Sequence, residues 1–382
     1  MKMKKNNKII LILIAIIFIV VLAIIVAFLY KSKFEDKPIF LGTEEVTDDS
    51  VNQQKNQVKI FNGNDRPIAV MIDNHPSAMP HAGLSNAYIV YEIIVEGGES
   101  RLMALFKGQD IDKIGPVRSA RHYFLDYALE NDAIYVHYGW SPEAESDIKS
   151  LQINNINGLY DSNFWRVKDK SAPHNAVTST KKILDVAKSK NYKTTSNVQP
   201  ILNYVTDEVN LDNEYNNLNS TSNEILTNPG KSNTSIGGNS SNIKVTDATT
   251  VVIPYSSSNI VKWEYDSTNK VYKRYSKGKK EVEWDTGKDV TSKNIIIEFI
   301  KNTPLTTTDD DREKGRQTMS TIGIKDGYYI TNGKAIKITC EKTTRKSKTV
   351  YKDENGNEIK VNDGNTFIQI CPIDSNVKFN VQ

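Results

Sequence analysis

The stretch Pro67-Ile68-Ala69-Val70-Met71-Ile72-Asp73-Asn74-His75-Pro76 decides how this chain of 382 residues is read. The consecutive apolar residues Ile68 to Ile72 have the length and continuity of a short buried strand. Working outward, Ala87 to Val95 and Arg101 to Lys107 are further strand candidates, and Ser119 to Leu129 has a helical pattern. A strand over Ala133 to Tyr138 follows. Then comes a helix through Leu151, with Ser141 as N-cap and Pro142 at the first helical position. Thr178 is placed to cap a further helix through Ser189. Strands alternating with helices predict an α/β domain over residues 60–206.

Toward the N-terminus the texture changes. Residues 31–59 are polar, with acidic pairs at Glu44-Glu45 and Asp48-Asp49, and read as a stalk. Before them, Ile9 to Tyr30 is an apolar run without a charge, preceded by Lys2, Lys4, Lys5 and Lys8. About 20 apolar residues suffice to cross a bilayer core. No small-x-small cleavage site or lipid-accepting cysteine ends the run. We therefore expect an uncleaved transmembrane signal anchor over residues 9–30 and a cytoplasmic tail over residues 1–8. The positive-inside rule then places the C-terminal ectodomain outside the cytoplasm, in a single-pass protein of the cell membrane. Setting aside the four anchor lysines leaves 45 Lys and Arg against 46 Asp and Glu. That balance offers no electrostatic case for a nucleic-acid partner.

Toward the C-terminus, Asp207 to Asn242 is dense in Asn, Ser and Thr, with Asn228-Pro229-Gly230 and Gly237-Gly238. Such a segment buries too little apolar surface to offset its ordering entropy, so residues 207–244 are expected to be a flexible linker. Residues 245–382 read as β-rich. Strand candidates such as Val261 to Tyr265, Ile295 to Ile300 and Thr366 to Ile370 alternate with turn signals such as Asn332-Gly333 and Asp363-Gly364. A mainly antiparallel β domain is expected. Cys340 and Cys371 both fall in its strand candidates. In an exported chain they can form one disulfide or stay as two buried thiols. No histidine lies near either cysteine, which argues against zinc.

Polar groups gather where the strands of the first domain end. Asp73 and His75 follow the first strand. Glu92 and Glu96 belong to the second, with Arg101 just beyond. His137, Trp140 and Ser141 follow the strand ending near Tyr138. Ligands of open α/β sheets bind beyond the carboxyl ends of strands, so these clusters can share a crevice. The sharpest element is Gly115-Pro116-Val117-Arg118-Ser119-Ala120-Arg121 at a helix start, where free N–H groups and the dipole favour an anion. Arg118 and Arg121 either hold phosphate or carboxylate with their guanidinium forks, or pair with Asp73, Glu92 or Glu96 to hold the domain together. The candidate ligand-binding set is Arg101, Arg118, Ser119, Arg121, His75 and Trp140. The candidate catalytic set is Asp73, Glu92, Glu96 and His137. Trp140, Trp165 and Tyr160 can form a sugar-stacking platform or belong to the core. The histidines His75, His81, His122, His137 and His174 show no metal-ligand spacing, and Gly139-Trp140-Ser141-Pro142-Glu143 is no nucleophile elbow.

At these residues the chain resembles the YerB-like lipoprotein family, an uncharacterised bacterial envelope family of the DUF3048 type. The resemblance is carried by Arg66 to His75, by Val95-Glu96-Gly97-Gly98 with Arg101, by Ile114 to Arg121 and by Tyr135 to Glu143. Pro173-His174-Asn175 fits as well, as do Asp326 to Tyr329, Asn332 to Ile336, Tyr351 to Asn357 and Gly364 to Gln369 in the C-terminal half. It spans nearly all of Pro67 to Pro372 except the linker. It implies a two-domain extracytoplasmic protein and supplies no reaction. Members often carry a lipid-accepting cysteine, where this chain keeps an anchor. Cys340 and Cys371 stand where apolar or aromatic residues are usual, which adds some weight to their pairing.

Two functional readings follow. One is an envelope module that binds an anionic or glycan ligand of the cell wall, or an envelope protein, with no cofactor. The alternative is an enzyme acting on cell-wall polymer or lipid-linked phosphate precursors. In that reading the arginines would bind phosphate and the carboxylates would bind Mg or act as base. Arginines and carboxylates left open to one pocket favour the enzyme, whereas mutual pairing favours the module.

Overall fold

The computed structural model describes residues 63–215 and 243–381. The expected tail, anchor and stalk, and most of the expected linker, lie outside the described residues. Among the described residues no helix is long and apolar enough to cross a membrane.

The founding strand, β1 (Ile68–Asp73), is buried at every position. It pairs antiparallel with β3 (Ser100–Phe106), which pairs antiparallel with β2 (Ile89–Ile94). On its other side β1 pairs parallel with β4 (Ile134–His137), and β4 with the short β5 (Asn155–Asn157). Helices α1 (His122–Glu130), α2 (Pro142–Ser150) and α3 (Thr180–Ser189) occupy the connections. Ser141 caps α2 as expected, its hydroxyl accepting from the Ala144 N–H. The cap of α3 is Ser179, which accepts from the Lys182 N–H. Thr178 lies one residue earlier in a bridge to Ile114, so it is strand-like and not the cap.

The C-terminal half contributes β6 (Thr250–Pro254), β7 (Ile260–Asp266), β8 (Val271–Ser276) and β9 (Asn294–Ile300). After α4 (Asp309–Lys314) come β10 (Gly323–Thr331), β11 (Lys334–Lys342), β12 (Val350–Asp353) and β13 (Thr366–Pro372). Strands β6 to β8 form an antiparallel meander with alternating burial, the pattern of a sheet with one covered face. Its Trp263 meets Phe367 of β13 edge-on, with centroids 4.8 Å apart.

The halves are joined through their backbones. Strand β13 pairs parallel with β2 on one side and with β9 on the other. One sheet therefore runs β12-β11-β10-β9-β13-β2-β3-β1-β4-β5 across both halves. At the start of the expected linker, Val209, Leu211 and Tyr215 are buried, and Tyr204–Val205 pairs with Val361–Asn362. That stretch is packed because its apolar side chains find the C-terminal half to bury against.

The disulfide reading is corrected. Both cysteines are free and buried. Cys340 lies on β11 and Cys371 on β13, with β10 and β9 between them. Three strand spacings amount to about 14 Å, whereas a disulfide spans Cα atoms only about 4.4–6.8 Å apart.

Candidate functional site

Strands β1, β2 and β4 run in one direction, so their carboxyl ends share an edge with the start of β3. The loop carrying Arg118 is laid across that edge. The Arg118 N–H donates to the Met71 carbonyl at 2.9 Å, and the Arg118 carbonyl accepts from the Tyr138 N–H at 2.9 Å. Ala120 bridges to Trp140. Residues 118–120 are thus extended, and α1 begins at His122 and not at Ser119.

Asp73, buried at the end of β1, is fully engaged. One carboxylate oxygen accepts from the His75 N–H at 3.2 Å. The other faces His174 Nδ1 at 2.7 Å and Arg118 Nε at 3.1 Å. His174 stacks on His75 with centroids 4.4 Å apart and planes at 15°. Glu96 grips Arg121 with both oxygens, at 2.5 and 2.8 Å. Burial would raise the Glu96 carboxyl, but Arg121 and Arg101 outweigh it and hold it below the usual range. Arg101 donates to the Ser119 carbonyl at 2.8 Å and lies 3.8 Å from Glu96. Burial and the adjacent Arg121 charge lower it to about 10. The Ser119 hydroxyl donates to the Tyr138 carbonyl at 3.0 Å.

Two catalytic candidates are set aside by their surroundings. Glu92 has no exposure. It accepts from Ser100 and Asn74 at 2.6 and 3.1 Å, and from Arg274 of β8 at 2.6 Å. Arg274 also pairs with Glu281, which pairs with His81, whose Nε2 lies 2.7 Å from the Asp73 carbonyl. Glu92 therefore ties the C-terminal half to β2. His137 is likewise buried. Its Nδ1 donates to the Gly139 carbonyl at 2.8 Å, and burial lowers it to about 4. It fixes the turn at Gly139, whose φ of +83° suits glycine.

The edge nevertheless opens in one place. Arg118 keeps 27% of its side chain exposed, and no acceptor among the described residues takes its terminal N–H groups. It borders a hollow of about 440 Å³ with Ser119, Tyr138, Trp140, Leu159 and Arg166. So Asp73, Glu96, Arg101, Arg118, Ser119, Arg121 and His75 form one network, with Trp140 across the hollow, while Glu92 and His137 sit beneath the surface. Two participants carried no chemical signal in the sequence. His174 is marked there only by Pro173-His174-Asn175, and Arg166 by nothing beyond its charge. Among the described residues no group of three His, Cys, Asp or Glu could hold a metal ion.

Comparison with known proteins agrees with this architecture. Residues 55–193 match the N-terminal domain, and residues 251–368 the C-terminal domain, of the family described as "Protein of unknown function (DUF3048)". A Bacillus subtilis (strain 168) protein described as "Putative lipoprotein YerB" is 31% identical over 317 residues, covering 80% of this chain and 81% of that protein. The crystal structure of YerB from Bacillus subtilis superposes with a TM-score of 0.67 at 28% identity, over 84% of this chain and 96% of that one. With both domain models matched in order and a relative 31% identical over four fifths of both chains, the chain belongs to the DUF3048 family.

Proposed function

We propose that this chain is a membrane-anchored protein of the extracytoplasmic face, held by residues 9–30, whose crevice at the ends of β1 and β4 binds an anionic component of the cell envelope. The observation that carries the binding role is Arg118. Its guanidinium faces a hollow with unused donors, while Asp73, Glu92 and Glu96 are all engaged internally. Such pairing favours a binding module over an enzyme that needs free carboxylates. The charge-free run after four lysines supports the anchor. The description of its relative as a lipoprotein supports the envelope.

The test uses the full-length chain in mild detergent, melted with and without pyrophosphate. A ligand at about 100 times its Kd stabilises by about 2.7 kcal/mol. A rise in Tm that Arg118→Ala abolishes is expected, and no rise at any concentration overturns the anion reading. For the anchor, the chain should remain with membranes after an alkaline wash, and removal of residues 1–30 should release it.

One observation favours the second reading. His174 Nδ1 is held by Asp73, leaving the imidazole oriented beside Arg118. A carboxylate that orients a histidine in this way serves general acid-base chemistry. In that reading the base is His174, not a carboxylate, acting on a phosphate ester held by Arg118. Turnover of a lipid-linked pyrophosphate that His174→Ala abolishes without loss of binding would establish it.

A further inference from the structure

Beyond Arg118, rings line this hollow and the one beside it: Tyr138 and Trp140 in the first, and Tyr138, Tyr160, Phe164 and Trp165 in the second. Trp140 and Tyr160 lie with centroids 5.8 Å apart, and Tyr138 meets Phe164 edge-on at 5.7 Å. The Arg166 guanidinium lies over the Tyr138 ring at 5.1 Å. A second hollow of about 320 Å³, reaching Trp165, shares Tyr138, Leu159 and Arg166 with the first. Each is within the range of about 300–1,000 Å³ typical of small-molecule sites. Leu159 and Tyr160 stand side by side on the rim, 54% and 73% exposed. The ring floor is built in by Gly158, where a Cβ would fall 2.2 Å from the Tyr138 ring. The charge is cationic. Arg118 and Arg166 face the groove, whereas Asp161 Oδ2 is taken by Lys190 at 2.9 Å and by the Asn157 N–H.

This wall and these charges call for a ligand with both a stackable face and an anion. A bare anion would leave the rings idle. An apolar peptide would have to cover the guanidinium groups of Arg118 and Arg166, whose internal partners Asp73 and Asn175 leave further donors unused, at high desolvation cost. The pyranose ring presents C–H faces that lie flat on aromatic rings, and guanidinium forks match phosphate and carboxylate. We propose that the groove binds a saccharide carrying a phosphate or carboxylate, its ring on Trp140 and Tyr160 and its anion between Arg118 and Arg166. This rests on the anion-binding role of Arg118 argued above and names its ligand class.

The test titrates the full-length chain in mild detergent, by tryptophan fluorescence and calorimetry. The probes are maltose 1-phosphate, a hyaluronan tetrasaccharide, a neutral N-acetylglucosamine tetrasaccharide and inorganic phosphate. At least one anionic saccharide should bind tenfold or more tightly than both the neutral saccharide and phosphate. Whichever of the two does so tells phosphate from carboxylate. Tyr160→Ala, at an exposed position, should weaken that probe tenfold with phosphate affinity and Tm unchanged. Arg166→Ala should weaken the anionic saccharide and leave the neutral one unchanged. If phosphate binds through Arg118 but no anionic saccharide exceeds it, or if Tyr160→Ala has no effect, the saccharide assignment is wrong and the anion site stands. If no probe binds, both are wrong.

Discussion

Arg118 and Arg121 sit three residues apart in one motif and have different work. Arg121 is locked by both oxygens of Glu96, with 12% and 18% of the two side chains exposed. Removing Arg121 leaves the largely buried Glu96 with only the more distant Arg101, at 3.8 Å. Arg121→Ala should therefore cost about 3 kcal/mol, the low end of the range for such pairs, measured by urea unfolding. Arg118→Ala breaks only one ion pair of a more exposed side chain and should cost about 1 kcal/mol or less, while removing anion binding. Equal losses of stability would mean that Arg118 is structural. The buried relay offers a pH test. Burial would raise the Glu281 carboxyl, but Arg274 and His81 outweigh it and pull it from 4.5 to about 2. A lowered folded-state pKa gives stability that is complete above the unfolded value and lost as pH falls through the folded one. Melting temperature should thus drop between about pH 4.5 and 2, and Glu281→Gln should be less stable at pH 7 with a shallower acid slope.

At the scale of elements, the strands and helices of the first half were legible because their apolar positions recur with strand or helix spacing and the α2 cap is local. Ser141 before Pro142 signals α2 without reference to anything distant. The Thr178-to-Ser179 shift at α3 and the late start of α1 at His122 have one cause. Tertiary backbone bridges, Ile114 to Thr178 and Ala120 to Trp140, hold those residues extended where local pattern allows a helix. Strand β10 carries a comparable constraint at Gly327, where a Cβ would come within 2.1 Å of the Ile297 carbonyl oxygen on β9. Gly327→Ala should force β9 and β10 apart and destabilise by about 1–3 kcal/mol. Amide exchange should quicken along Ile295 to Ile297 and Tyr328 to Ile330. Unchanged exchange there would mean that the strands absorb the methyl group.

For the whole molecule, the β2–β13 pairing makes the two halves one cooperative object. Residues 60–206 expressed alone would leave β2 without β13 and Glu92 buried without Arg274. Such a fragment should show no cooperative melt and poor amide dispersion, while the full chain unfolds in one transition by fluorescence and circular dichroism. A cooperatively folding fragment would show the halves to be independent.

The sequence by itself determined the β1 strand, the helices between the early strands, the β texture after residue 245 and the gathering of polar groups at strand ends. Each is written in local periodicity, turn residues and caps. Strand partners are not written locally. Ile89 to Ile94 and Thr366 to Pro372 are both mostly apolar, each interrupted by a polar residue, Glu92 and Gln369, and such segments do not specify a neighbour some 270 residues away. Only the tertiary structure could join Asp73 to His174, close Glu92 under Arg274, separate Cys340 from Cys371 and leave Arg118 open beside Trp140. Each of those outcomes depends on strand order and on which charges lose their water when the halves meet.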